Sequence, residues 1–543
     1  MASVVQTESL IQSGAAIRAP RTTFLWQPAL RYRGELIAIA SIVVLGLVAR
    51  LYRVSSQSLW MDEGFSWEIA TLPLPAMRHF VLAKEPWNGL YYFLLRFWID
   101  VFGASELSLR MPSVIAGVAT IPLIYAAGKT MFGAKSGLVA ALLFAVSPMA
   151  VFFAHEARTF TLEWMMIAVA LLFLVRTLEK PSIGNLAGWI IGSALAVYGH
   201  PLSATAVPAE LLSLVVLERR RVPWWHILAG AAVIGLLITP LALVVRPASS
   251  ELASWIPPIS WNWLGRSVYG MFNGLWADGF WTDASGQMVV TAYVLGALVG
   301  IIAFVRAWDI SRAAAMPFVL TSFGVIIPFG IVAAYSALQP SLSYRYMLFT
   351  LPALCLFVGG GIGTARSRTV QVVTLTALLT GSVWHSWAVS QPTWRADWRI
   401  PASFILAHAQ SGDAIGVRWN VWRPMLKYYF IRRHMPPGLL EWAYPEALFI
   451  EGRYPDDADS MEFAAEHLLS QIDATAASGH RLWFVFAGEG MGLFERWASV
   501  EAIKERMHQD YGRVEEGWVD GFDIVRCSQP HAASQQAPSP SIK

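Results

Sequence analysis

Eleven predominantly apolar runs dominate this chain, each close to the roughly 20 residues that cross a bilayer as a helix. They lie near 35–51, 108–128, 136–153, 160–176, 185–202, 204–217, 227–245, 288–306, 315–337, 345–363 and 370–388. A soluble domain has no core large enough for so many. Charged residues are only 14% of the sequence, against about a quarter in soluble proteins. The expected fold class is a multi-pass α-helical membrane protein with about 11 transmembrane helices. A net charge of +3, with arginines scattered among short loops, argues against a nucleic-acid partner. The two cysteines, Cys355 and Cys527, are too few for a disulfide framework or a cysteine-based metal site.

Cations orient the spans, because Lys and Arg concentrate in cytoplasmic connections. Every second connection carries them: Lys129 and Lys135, Arg176 and Lys180, Arg219 to Arg221, Arg306 and Arg312, Arg366 and Arg368. The polar N-terminal tail, 1–34, joins this set with Arg18, Arg21, Arg31 and Arg33, and it shows no small-residue cleavage site. An odd number of spans then places the C-terminal region on the opposite face, the periplasmic or extracellular side of a bacterial inner membrane.

The transmembrane module covers 35–390, with two long outer loops at 52–107 and 246–287. Within the first, "GLYYFLLRFWIDVFG" (89–103) is too short to span and is interrupted by Arg96 and Asp100, so an interfacial helix is expected. The second is rich in Trp, Pro and Gly and suits a lid. Over 391–527, "RIPASFILAHAQ", "DAIGV", "SMEFAAEHLLSQIDATA" and "RLWFVFAG" alternate helix-like with strand-like character, predicting an extracytoplasmic α/β domain. "GEGMG" (488–492) reads as a turn, since its spacing is not that of a dinucleotide loop. Residues 528–543 lack core-forming side chains and are expected to be disordered.

Polar side chains gather on the outer face. They are Asp62 and Glu63 in "SLWMDEGFSW" (58–67), Lys84 and Glu85 in "LAKEPWNGLYY", Arg110 in "LSLRMPS", His155, Glu156 and Arg158 in "FFAHEARTF", His200, and Arg345 in "SLSYRYM". Each has a bland role open to it. Asp62 can cap a helix, Arg110 and Arg345 can anchor to headgroups, Glu156 and Arg158 can form an ion pair, and the histidines can be ordinary interior residues. Convergence at the span mouths carries the functional reading. Arginine grips phosphate through a planar fork and keeps its charge when desolvated, while a carboxylate can accept the proton of an attacking hydroxyl. Together they fit glycosyl transfer from a sugar on a lipid phosphate.

Five motifs, in order, carry a family resemblance: "SLWMDEGFSW", "EPWNGLYYFLLRFW", "FGASELSLRMPSVIAGVATIPLIYAAGKTMFG", "SPMAVFFAHEARTFTL" and "SYRYMLFTLPAL". With them the chain resembles, over about 35–390, the polyprenyl-phosphate-dependent glycosyltransferases of the GT-C fold. Within these it is similar to glycosyltransferase family 39, the protein-mannosyltransferase and bacterial aminoarabinose-transferase-like group. The resemblance implies that Asp62 is the catalytic carboxylate, with Glu63 beside it. It implies substrate-binding roles around the sugar phosphate or the acceptor for Glu85, Arg110, His155, Glu156, Arg158 and Arg345. One departure bears on Glu85: many relatives have a proline-rich or asparagine-proline stretch before the paired tyrosines, where this chain has "PWNG".

No cofactor is expected. Some relatives use a divalent metal, and Asp62, Glu63, His155 and Glu156 would suit Mg or Mn, but the arginines already supply countercharge. The expected activity is inverting transfer from a polyprenyl-phosphate sugar to a lipid, glycan or protein acceptor at the membrane. The rival is a transporter or flippase, which would place ionisable groups at mid-membrane. Glu210 is the main residue of that kind.

Overall fold

The computed structural model describes residues 27–83, 85–216, 223–244, 256–273, 284–391, 396–417, 422–433, 458–487, 500–519 and 522–531. The N-terminal tail up to residue 26, Lys84, Arg219 to Arg221, most of the loop before residue 284, "GEGMG" and the chain beyond 531 lie outside the described residues.

Helix α1 (Gln27–Leu51) leads into the loop 52–107, which folds into α2 (Met61–Thr71), α3 (Leu74–Ala83) and α4 (Gly89–Phe102). Gly103 ends α4 at φ 73°, a left-handed backbone that glycine adopts without strain. Phe97, Val101 and Phe102 of α4 stay exposed, as a helix lying on a membrane surface requires. Helix α5 (Glu106–Phe132) starts at Ser105, whose hydroxyl accepts the Ser108 N–H at 3.1 Å. Helices α6 (Ala134–Val146) and α7 (Pro148–Phe152) follow, bent by 54° where Pro148 has no N–H to continue the ladder. Gly128 of α5 and Gly137 of α6 let these backbones touch: a Cβ on Gly128 would stand 2.8 Å from the Gly137 Cα.

The bundle continues with α8 (Phe160–Glu179), α9 (Ile183–Gly199), α10 (Ala206–Val216), α11 (Trp224–Val244), α12 (Trp261–Asn273), α13 (Ala284–Ile310) and α14 (Arg312–Ser336). A 3-10 segment, Tyr344–Thr350, precedes α15 (Leu351–Thr364), and α16 (Arg368–Val389) closes the apolar region.

All eleven apolar runs fall on helices, which differ in length. Among the described residues eight helices are long and apolar enough to cross, and the bent pair makes up to nine. The runs at 185–202 and 204–217 land on Ile183–Gly199 and Pro201–Val216, which are shorter. At 1.5 Å per residue the 17 residues of α9 reach about 26 Å, under the roughly 30 Å hydrocarbon core. His200 and Pro201 end α9 early and start a new 3-10 turn.

Beyond the bundle lie α17 (Arg399–His408), β1 (Ala414–Val417), α18 (Arg423–Arg432), α19 (Ala458–Ala477), β2 (Leu482–Ala487), α20 (Val500–Asp510), β3 (Tyr511–Val519) and β4 (Phe522–Pro530). They form a sheet of order β1-β2-β4-β3, with β1 and β2 parallel and the other pairs antiparallel. Strand β4 runs through residues 528–530, where the sequence suggested disorder, because Pro530 lies opposite Tyr511. Alternation along the strands splits the sheet between two cores. Ala414, Phe484, Val525 and Cys527 pack on α19 and α20 through Ile472, Ile503 and Met507. Ile415, Val417, Trp483 and Ile524 share a core with Trp67 of α2, Tyr92 and Leu95 of α4, and Leu426 of α18. The sheet domain therefore rests directly on the loop that carries α2 and α4.

Candidate functional site

Helix α2 opens with two acidic residues in its first turn, where the unpaired N–H groups favour negative charge. Glu63 Oε2 accepts the Trp60 N–H at 3.0 Å and so fixes the start of the helix. Consecutive helical side chains point in different directions, and the carboxylates of Asp62 and Glu63 accordingly part company.

Glu63 faces inward. Arg110 of α5 meets it with two hydrogen bonds of 2.7 Å, Nε to Oε1 and Nη2 to Oε2, and the Ala157 N–H adds a third at 3.1 Å. The same guanidinium donates to the carbonyls of Val54 at 2.6 Å, Gln57 at 3.0 Å and Ser58 at 3.0 Å. Both side chains are fully buried. Arg110 thereby ties the turn after α1 to the helix that carries Asp62.

Asp62 faces Arg345, whose Nη2 pairs with Oδ2. Arg345 comes from the 3-10 segment, 283 residues away, and its Nη2 also lies 3.7 Å from Glu156 Oε2. One guanidinium thus serves two carboxylates. A second string runs beside it. The Tyr92 hydroxyl donates to Glu85 Oε2, Asn88 Nδ2 donates to the same carboxylate at 2.9 Å, and Arg158 Nη1 donates to the Tyr92 oxygen at 3.1 Å. Burial raises the Tyr92 phenol well above its ordinary range and Glu85 adds to this, so Tyr92 stays a neutral donor. Burial disfavours the charge on Arg158, but Tyr92, Asp62 and Glu85 outweigh it and keep the guanidinium firmly protonated. Arg158 Nε is buried and has no hydrogen-bond partner among the described residues.

The structure thus gathers Asp62, Glu85, Glu156, Arg158 and Arg345 around one mouth of the bundle. Glu63 and Arg110 sit behind it as a sealed pair. His155 turns to α1, where its Nε2 bonds the Arg50 carbonyl at 2.8 Å. His200 lies against the Tyr346 ring at 4.7 Å. Among the described residues no three His, Cys, Asp or Glu side chains converge in the way a metal site requires. Two of the four residues considered as metal ligands, Glu63 and His155, are held by Arg110 and by the Arg50 carbonyl.

Tyr92 and Tyr346 carry no role in the sequence reading, although both stand inside quoted motifs; a tyrosine seven residues after an acid and one beside an arginine were the available signals. The face of α2 toward α18 gave no local signal. Arg423 Nη2 pairs with Glu68 Oε1 at 2.8 Å, and Lys427 Nζ reaches the same oxygen at 3.2 Å. The Tyr429 hydroxyl accepts the Leu59 N–H at 2.8 Å and donates to Glu106 Oε1 at 2.5 Å. Gly64 admits α18 closely, since a Cβ there would stand 3.0 Å from Met425 Sδ.

Residues 88–243 match the family described as dolichyl-phosphate-mannose-protein mannosyltransferase. Two solved structures share the architecture. One is ArnT from Cupriavidus metallidurans bound to undecaprenyl phosphate, with TM-score 0.54 and 13% identity over 93% of this chain and 99% of that one. Another is the archaeal oligosaccharyltransferase AglB from Archaeoglobus fulgidus, in complex with an inhibitory peptide and a dolichol-phosphate, with TM-score 0.52 and 12% identity over 92% and 75%. No curated protein matches the sequence.

Proposed function

From the GT-C fold that the chain shares with these structures, we propose that it is an integral membrane glycosyltransferase. It moves a sugar from a polyprenyl-phosphate donor to a lipid, glycan or protein acceptor at the outer face of a bacterial inner membrane. The observation that carries this reading is Arg345 held between Asp62 and Glu156, beside Arg158 with an unused N–H.

In this reading the acceptor oxygen attacks the anomeric carbon, and a new C–O bond forms on the face opposite the phosphate. The bond from that carbon to the phosphate oxygen breaks, and its electron pair leaves with the polyprenyl phosphate. The acceptor proton passes to Asp62, the catalytic residue. Arg158 and Arg345 stabilise the charge growing on the departing phosphate, and this preorganised electrostatics supplies the largest share of the rate. A single displacement inverts the anomeric centre. Glu156 keeps Arg345 oriented when Asp62 takes up the proton, while Glu85 and Tyr92 orient Arg158. No metal takes part, because the two guanidinium groups provide the countercharge. The segment containing α12 closes over the site once donor and acceptor are bound.

A transporter has less support. Glu210, the main ionisable residue of the kind a transporter would carry, lies buried on the short apolar helix α10 and accepts the Trp189 Nε1–H at 2.9 Å, so its carboxyl has an internal partner.

The test uses the purified full-length protein in proteoliposomes with radiolabelled polyprenyl-phosphate sugars and an extract of membrane acceptors. Transfer of label to an acceptor, with release of polyprenyl phosphate and insensitivity to EDTA, is expected. Movement of intact donor across the bilayer with no label transferred would instead identify a flippase.

A further inference from the structure

A groove lies between α1, α7 and the C-terminal end of α16, on the same side of the bundle as Asp62. Its volume is about 300 Å³, at the small end of ligand sites, so it fits one chain of a lipid rather than a whole molecule. Leu45, Val48, Val146, Val151, Phe152 and Val383 form its apolar wall. Its rim is polar and includes Arg53, Gln57 and His155.

Two observations on the lining point to a ligand. Arg53 is half-buried, and its Nη1 donates to the neutral Gln391 Oε1 at 3.1 Å; no carboxylate pairs with it among the described residues. Its backbone has φ 57°, an uncommon conformation for a residue with a side chain, which holds it at the turn directly after α1. Ser386 Oγ, on the wall contributed by α16, is buried and has no hydrogen-bond partner among the described residues. A guanidinium with no paired anion, set at headgroup level over an apolar channel, complements a lipid phosphate.

We propose that this groove holds one acyl chain of an anionic glycerophospholipid from the leaflet on the Asp62 side, with the phosphate on Arg53. The donor's isoprenoid is not the occupant. The rim residues 53–57 are divided from Asp62 by the sealed Glu63–Arg110 pair, whose guanidinium already binds the Val54 and Gln57 carbonyls. The lipid instead steadies the turn on which Arg110 pulls, and so buttresses the base of α2 from behind. This inference concerns a different cleft from the transfer site and does not rest on the proposed activity.

Native mass spectrometry of the full-length protein, extracted from bilayers of phosphatidylcholine mixed with phosphatidylglycerol, tests it. Wild type is expected to retain one phosphatidylglycerol in preference to phosphatidylcholine. Arg53→Gln should abolish the preference, and Val48→Trp, at an exposed wall position, should abolish retention by filling the groove. Hydrogen exchange of the 52–60 segment, followed in parallel, should slow with phosphatidylglycerol in wild type only, and an unchanged melting temperature would show that both variants fold. Equal retention of the two lipids would mean that Arg53 merely snorkels, and the proposal would fail. It would fail equally if both variants kept the phosphatidylglycerol, or if a polyprenyl phosphate displaced it in competition.

Discussion

Two ion pairs stand one residue apart on α2 and do opposite work. Glu63 and Arg110 lie in the sealed region behind the site, and every oxygen and nearly every N–H of the pair is used within the protein. Asp62 and Arg345 lie at the mouth of the bundle, where Arg345 is shared with Glu156 and Arg158 keeps an unused donor. A buried pair with all its partners in place fixes a geometry, because removing either member strands a charge away from water. A shared pair can exchange its partners when a substrate arrives. In the proposed function, adjacent carboxylates thus divide scaffolding from chemistry, and their separation follows from the angle between successive helical side chains.

The largest expected effect breaks the sealed pair. Arg110→Ala leaves Glu63 buried and alone, at a cost of about 3–5 kcal/mol, which suffices to lower the melting temperature steeply and to reduce recovery of folded protein from detergent. Next is the open pair. Arg345→Ala should lower kcat about 10²–10³-fold, as loss of a donor aimed at developing charge does elsewhere, and should lower the melting temperature less than Arg110→Ala, because Asp62 keeps some access to water although Glu156 is buried. Tyr92→Phe sharpens the contrast further. It removes only the hydroxyl that links Arg158 to Glu85, and about a tenfold loss of kcat/KM is expected, roughly one charge-assisted hydrogen bond.

The smallest effect concerns neither pair. Burial, with Asp473 beside it, pushes the Asp510 carboxyl up to about 7. Folding therefore favours its neutral form. Its contribution to stability is complete below the unfolded value, near 4, and is lost as pH rises through about 7. The melting temperature of the sheet domain should fall between pH 5 and pH 8 in wild type, and Asp510→Asn should flatten that slope.

The sequence made the membrane architecture legible because apolar length is a local property. The lengths of α9 and α10 were less legible: His200 and Pro201 sit inside an apolar stretch and break it without changing its hydropathy. The strands β3 and β4 escaped notice because "GRVEEGWV" and "DIVRCSQP" carry little of the apolar alternation seen in β2. That Glu63 and Asp62 take different faces was not legible, since adjacency in sequence says nothing about which face each carboxylate takes. Arg345 and Arg423 could be matched to Asp62 and Glu68 only by the fold, across 283 and 355 residues. Residues 246–255 and 274–283 of the lid loop and "GEGMG" lie outside the described residues.

The most direct test of this division compares Asp62→Asn with Glu63→Gln in one preparation, scoring melting temperature and turnover of a radiolabelled polyprenyl-phosphate sugar side by side. The account predicts that Asp62→Asn melts like wild type with turnover reduced about 10²–10⁴-fold, the range for loss of a general base, whereas Glu63→Gln melts lower but turns over normally per folded molecule. Full turnover in Asp62→Asn, or wild-type stability in Glu63→Gln with turnover abolished, would contradict it.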